Sequence, residues 1–212
     1  AQGLTGPLVG EARRDLCRAG VSHGQYLLSD VLNRPLTAKL QVFPNAWCLS
    51  DAAVDGLLRQ RHEHPAGRIW CWAPGAYRED GTEDLPRMER LLGFRLARRG
   101  DDATGGLAAC ATAPGVAAGL RADVAYGDPA LRVPSYTVTD AADAEIWARY
   151  PNGDPAIVVR PSANGGGDVF CGLAQLPPEL VHAVARRFGA HRYLARADVG
   201  QASVWATAGA LD

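Results

Sequence analysis

No apolar run in this sequence approaches the roughly 18–20 residues that a membrane-spanning helix needs, which excludes a helical membrane anchor within it. The opening stretch "AQGLTGPLVGEARRDL" lacks the basic-then-apolar pattern of a secretory signal, so nothing in the chain as given targets it elsewhere. An excess of one charge sign is missing too. The 22 Lys and Arg stand against 23 Asp and Glu, a formal net charge of −1. That balance supplies no pull toward nucleic acid or an anionic membrane, and neither partner is expected. The densest basic places, "EARRDLCR", "RLARR" and "VARRF", are short and read as solvated helix faces.

Metal-binding and disulfide patterns are also scarce. Among five histidines there is no HExxH, and "HEH" at 62–64, near the end of a predicted helix, reads as solvated surface rather than a metal site. The five cysteines (17, 48, 71, 110 and 171) are odd in number and contain no CxxC pair. Their small or apolar neighbours predict reduced, buried thiols, which favours a cytoplasmic setting. No metal and no cofactor is expected.

What the 212 residues do contain is 47% hydrophobic and 21% charged, the profile of a soluble globular protein with ample chain for a core. "PLVGEARRDLCRA" (7–19) predicts a helix with Pro near its start and Gly20 as its stop. "GQYLLSDVL" (24–32) could be strand or short helix, since periodicity alone does not decide. "AKLQVFP" (38–44) predicts a strand. "LSDAAVDGLLRQRHEH" (49–64) predicts a helix capped by Ser50, and "RIWCWA" (68–73) a second strand. This helix–strand alternation argues for a parallel sheet with covering helices.

"LPRMERLLG" (85–93) predicts a short helix ended by Gly93, and "FRLARR" a further strand. The Gly/Ala-rich stretch 100–130 predicts loops and irregular pieces. Four strand-like runs follow, "LRVPSYTVTD", "AEIWARYP", "PAIVVRPS" and "GDVFCGLA", with "PNGD" and "ANGGGD" as turns between the later ones. "PPELVHAVARRFG" (177–189) predicts a helix, and "HRYLARAD" and "ASVWATAG" two last strands. No internal linker marks a boundary, so residues 1–212 read as one α/β domain with antiparallel strand additions in the C-terminal third.

The first chemical candidate is Cys71, within "GRIWCWAPGAY" (67–77). Nucleophile elbows need small residues on both sides of the nucleophile, because the strand-to-helix turn is crowded. Trp70 and Trp72 flank Cys71, so the thiol reads as strand core. Such a thiol also requires a histidine base, for which His182 is the candidate, although its setting differs from the His-x-Glu such enzymes use. Cys110 and Cys171 also read as core residues. "ANGGGD" could wrap a phosphate, yet a strand follows it where a cradle wants a helix. "YREDGTED" (77–84) lacks calcium-loop spacing but lies past a predicted parallel strand, where ligands bind in open α/β folds. Trp72, Tyr77, Arg78, Glu79 and Asp80 are therefore ligand or interface candidates, and Trp47, Trp72, Tyr77 and Trp147 could face a carbohydrate.

In their order, "LSDVL…AKLQVFPNAWCLSDAAVDGLLRQ…GRIWCWAPGAYREDG…MERLLGFRL" and the later "NGDPAIVVRP", "GGGDVFCGL" and "ELVHAVARRFGAHRYLARADVGQASVWA" resemble one family domain. This is the glutamine-amidotransferase-like middle, or trimerisation, domain of family 42-type β-galactosidases, and the resemblance covers roughly residues 20–210. It implies a flavodoxin-like, class I amidotransferase-like parallel sheet with helices on both faces, without the nucleophile. It also implies a module of a larger protein, with no catalysis of its own, serving oligomerisation or the support of a glycoside-hydrolase-type catalytic domain. The expected partners are a second copy or that neighbouring domain. A cysteine-dependent amidotransferase or hydrolase and a carbohydrate-binding module are the alternatives.

Overall fold

A computed structural model describes residues 2–34, 36–100 and 106–194. Seven strands form one sheet in the order β1-β2-β9-β8-β7-β4-β5. They are β1 (Leu40–Phe43), β2 (Gly67–Cys71), β4 (Ala109–Ala111), β5 (Ala125–Tyr126), β7 (Glu145–Arg149), β8 (Pro155–Pro161) and β9 (Gly167–Cys171). A separate two-stranded ribbon pairs β3 (Leu96–Arg98) with β6 (Tyr136–Val138) antiparallel. The helices are α1 (Gln2–Thr5), α2 (Ala12–Arg18), α3 (Leu28–Asn33), α4 (Asp51–Glu63), α5 (Leu85–Leu92), α6 (Ala113–Ala118) and α7 (Pro178–Arg187).

The flavodoxin-like parallel sheet is overturned by this pairing. Only β1, β2 and β9 run parallel, while β8, β7, β4 and β5 each join their neighbour antiparallel. The fold is α/β with a mixed sheet. The physical reason lies in the connections. A parallel neighbour needs a long crossover, whereas a tight turn returns the chain antiparallel. "PNGD" closes the β7–β8 turn, where Tyr150 N–H donates to Asp154 O at 2.9 Å. "ANGGGD" closes β8–β9, with Gly165 at φ 86° in the left-handed region that glycine tolerates. Helix–strand alternation therefore governs only the first third of the chain.

Local signals explain most of the remaining elements. Ser50 Oγ accepts from Ala53 N–H at 3.2 Å and opens α4. Asp84 Oδ1 accepts from Arg87 N–H at 3.1 Å and opens α5, which Gly93 closes in a left-handed conformation. The ambiguous 24–32 segment contains helix α3 and no strand. The 7–19 helix is interrupted, because a π turn at Gly6–Gly10 precedes α2. The stretch expected to be irregular holds β4, α6 and β5. Its overlooked signal is Thr112, whose Oγ1 accepts from Gly115 N–H at 3.3 Å as an N-cap. "HRYL" is no strand, contributing only an isolated bridge between Arg192 and Val21; the rest of "HRYLARAD" and all of "ASVWATAG" lie outside the described residues.

β2 and β9 are buried at every position, so both sheet faces are covered at the centre. Trp70 stacks on Phe43 with ring centroids 4.1 Å apart, and its indole N–H donates to Asp168 Oδ1 at 2.8 Å. Asp168 also pairs with Arg61 at 3.0 Å. A carboxylate at this depth is tolerated only when paired in this way. Among the described residues, no helix is long and apolar enough to cross a membrane.

Candidate functional site

The carboxyl end of β2 lies at the middle of the parallel segment, and its last residue is Cys71. The register sets Cys71 beside Cys171 of β9, and both are completely buried. The hydrogen bond that the Cys71 thiol donates to the neighbouring Cys171, and then burial, push the Cys71 thiol well above its ordinary range. The Cys171 thiol in turn donates to Gln175 O at 3.6 Å. Reactive cysteines are thiolates in exposed, electropositive surroundings; Cys71 has neither property. The expectation that all the cysteines are buried is corrected at three positions. Cys17, Cys48 and Cys110 are exposed, Cys110 because it sits on the short β4 close to the sheet edge.

The sharp turn belongs to the next residue. Trp72 has φ 61°, the single positive value at a non-glycine position among the described residues. Its N–H still donates to Cys171 O at 2.8 Å, which prolongs the parallel ladder by one step. Its indole N–H donates to Pro134 O at 2.8 Å. The ring meets Trp47 edge-on at 5.1 Å and lies over Tyr77 at 6.0 Å. These contacts hold an indole in a backbone conformation that costs an L-residue about 1–2 kcal/mol.

The "YREDGTED" loop is anchored under this aromatic group. Tyr77 bridges to both Cys48 and Glu83. The Tyr136 hydroxyl donates to Glu83 Oε1 at 2.8 Å and lies 3.4 Å from the Tyr77 hydroxyl. Arg98 closes the chain of contacts at 3.2 Å from Glu83 Oε2. Burial, and then the hydrogen bonds with Tyr77 and Glu83, push the Tyr136 phenol far above its ordinary range. This phenol therefore acts as a fixed donor rather than a base. Arg78 pairs with Asp84 and reaches Asp51 at 4.0 Å, tying the loop to the start of α4. Glu79 and Asp80 occupy the exposed tip. There Thr82 N–H donates to Asp80 Oδ1 at 2.9 Å, which holds that carboxyl below its ordinary range.

The structure thus gathers Trp72 and Tyr77 into one cluster, with Arg78 next in the chain and Glu79 and Asp80 at the exposed loop tip. His182 stands apart on α7. Its Nδ1 lies 2.9 Å from Ala19 O and its Nε2 lies 3.0 Å from Arg192, so both ring nitrogens are engaged away from Cys71. Trp147 is 1% exposed and Trp72 5%, which corrects the expectation that these indoles present open carbohydrate platforms. Sequence reasoning missed Glu83, Tyr136 and Arg98 as partners. Glu83 was legible only as one of four acids in its loop, and nothing local ties it to a tyrosine 53 residues away.

The fold is similar to the β-galactosidase from Bacillus circulans sp. alkalophilus, with a TM-score of 0.66 and 14% identity over 88% of this chain. It is also similar to a catalytic mutant of a GH42 β-galactosidase from G. stearothermophilus, with a TM-score of 0.61 and 11% identity over the same 88%. This chain spans 28% and 26% of those proteins, about a quarter of their length. At such identity the likeness is one of fold. No family model matches the chain, and no curated protein sequence matches it. The amidotransferase-like part of the sequence resemblance finds no support in these neighbours or in the mixed sheet.

Proposed function

We propose that this chain is a non-catalytic accessory domain that assembles or braces a glycoside-hydrolase-type catalytic domain. The observation that carries the reading is its likeness to a quarter-length portion of β-galactosidase chains, covering nearly all of this one. The buried, protonated Cys71 supports the absence of thiol catalysis. Tyr26 and Leu27, adjacent in the chain, are 61% and 71% exposed and offer an apolar contact for a partner.

Light scattering over a concentration series tests the assembly role. The expected result is a dimer or larger species that Leu27→Glu dissociates; a strict monomer at every concentration overturns it. Incubating the chain alone with a nitrophenyl β-galactoside tests the other half, since steady hydrolysis would make it an enzyme.

A further inference from the structure

Of the five cysteines, the two that are buried are each other's partner. Cys71 and Cys171 are the last residues of β2 and β9. They stand opposite one another in the parallel register, and both are 0% exposed. The other three, Cys17, Cys48 and Cys110, are exposed. Residues paired in this way project their side chains from one face of the sheet, on strands about 4.8 Å apart. That spacing falls within the roughly 4.4–6.8 Å between Cα atoms that a disulfide spans. The Cys71 thiol donates to Cys171, so the two sulfurs face each other. About 100 residues of chain separate them, and no short Cys-x-x-Cys spacing announces the pair.

A facing pair of thiols can fill space, hold a metal ion or form a bond. Space alone asks for any small apolar side chain and does not select sulfur twice. A metal ion needs a fuller ligand set, and among the described residues no three His, Cys, Asp or Glu side chains form one. A disulfide needs only the two sulfurs and an oxidant. Burial decides when that oxidant acts. Exchange proceeds through a thiolate with access to a disulfide, and in the folded sheet both thiols are out of reach. Before β9 docks on β2, they are open to a low-molecular-weight disulfide such as glutathione disulfide. One cysteine thiolate attacks it and releases one glutathione thiolate. The second attacks the cysteine sulfur of the mixed disulfide and releases another. The two protein thiols are oxidised, one glutathione disulfide is reduced, and the two protons end on the two glutathione thiols. Docking of the strands then encloses the new bond.

We infer that Cys71 and Cys171 are a disulfide site, which staples β2 to β9 when the chain folds in the presence of a low-molecular-weight disulfide. The site does not depend on the accessory-domain reading and stands or falls separately from it. The test refolds the full chain from urea in a mixture of reduced and oxidised glutathione, blocks the remaining thiols with iodoacetamide and maps the unreduced digest by mass spectrometry. The expected result is a Cys71–Cys171 cross-link, lighter by two hydrogens than its two peptides, as the main disulfide within the protein. The refolded chain keeps the circular dichroism spectrum of the reduced one. Because the bond closes a loop of about 100 residues, dithiothreitol present throughout should lower the urea midpoint by up to about 2 M. Cys71→Ala, refolded alike, should show no such dependence on reductant. Absence of the cross-link, or pairing of either cysteine mainly with Cys17, Cys48 or Cys110, would overturn the assignment. So would a cross-linked chain that is non-native or no more stable than the reduced one, or a reductant effect that persists in Cys71→Ala.

Discussion

Comparing Trp72→Ala with Trp72→Gly separates the backbone at the end of β2 from the indole that sits on it. Both changes delete the same ring, with its contacts to Trp47 and Tyr77 and its hydrogen bond to Pro134 O. Each should lose about 3–5 kcal/mol, as for other buried Trp truncations. The difference between them isolates φ. At 61°, alanine retains a left-handed cost of about 1–2 kcal/mol that glycine escapes. Glycine gives back about 0.5–1 kcal/mol in chain entropy. Trp72→Gly should therefore be the more stable by roughly 0.5–1 kcal/mol, a shift of about 0.3–0.5 M in urea midpoint for a slope near 2 kcal/mol/M. The adjacent strand residue supplies the control, because Cys71→Gly should be less stable than Cys71→Ala by about 0.5–1 kcal/mol. Equilibrium urea unfolding followed by tryptophan fluorescence reads all four variants. If glycine ranks below alanine at both positions, the turn does not begin at Trp72 and the reasoning fails.

In native protein, iodoacetamide should label the exposed Cys17, Cys48 and Cys110 and leave Cys71 and Cys171 at least about a thousandfold slower, because labelling them requires opening worth several kcal/mol; mass spectrometry showing Cys71 labelled as fast as Cys17 would restore the nucleophile reading. For Asp15, the native state holds its proton up to about pH 6 against an ordinary value of 3.8, so the native state binds more protons and stability falls as pH rises from about 4 through 6. The shift corresponds to at most about 3 kcal/mol, and Asp15→Asn should be more stable than the parent by up to that amount at pH 7.5 and nearly equal to it at pH 4; a difference that does not change with pH would show that burial, opposed by Arg14 and Arg18, leaves Asp15 unshifted.

Local chemistry was legible in the sequence wherever a side chain reports on its own turn. Ser50 and Gly93 mark helix ends through bonds or dihedrals within a few residues. The two glycine-containing turns of the last third likewise set their own hairpins. The sheet's order was not legible in this way. Whether β9 joins β2 or lies at an edge is decided by cross-strand pairs such as Trp70 with Asp168, and by the bare Cα of Gly67, where an added Cβ would sit 2.4 Å from Phe188. None of these partners is nearby in sequence. Once β9 pairs with β2, the two hairpins carry β8 and β7 outward antiparallel, and the parallel sheet is lost.

The same distinction explains why the strand-end question was half answered by sequence. Two indoles around Cys71 identify a position too crowded for an elbow nucleophile, and that follows from residue types alone. What residue types do not reveal is that the strained backbone exists anyway, one residue further on, carried by an indole. The conformation that elsewhere exposes a nucleophile here turns Trp72 inward onto Trp47 and Tyr77. Its consequence is mechanical. Tyr77 is held, through Glu83 and Tyr136, to the loop carrying Arg78 and Asp84, so the chain's reversal after β2 fixes the base of the acidic loop. Strain of this kind persists only where surrounding contacts over-determine it, and three aromatic rings with a buried indole hydrogen bond supply that excess.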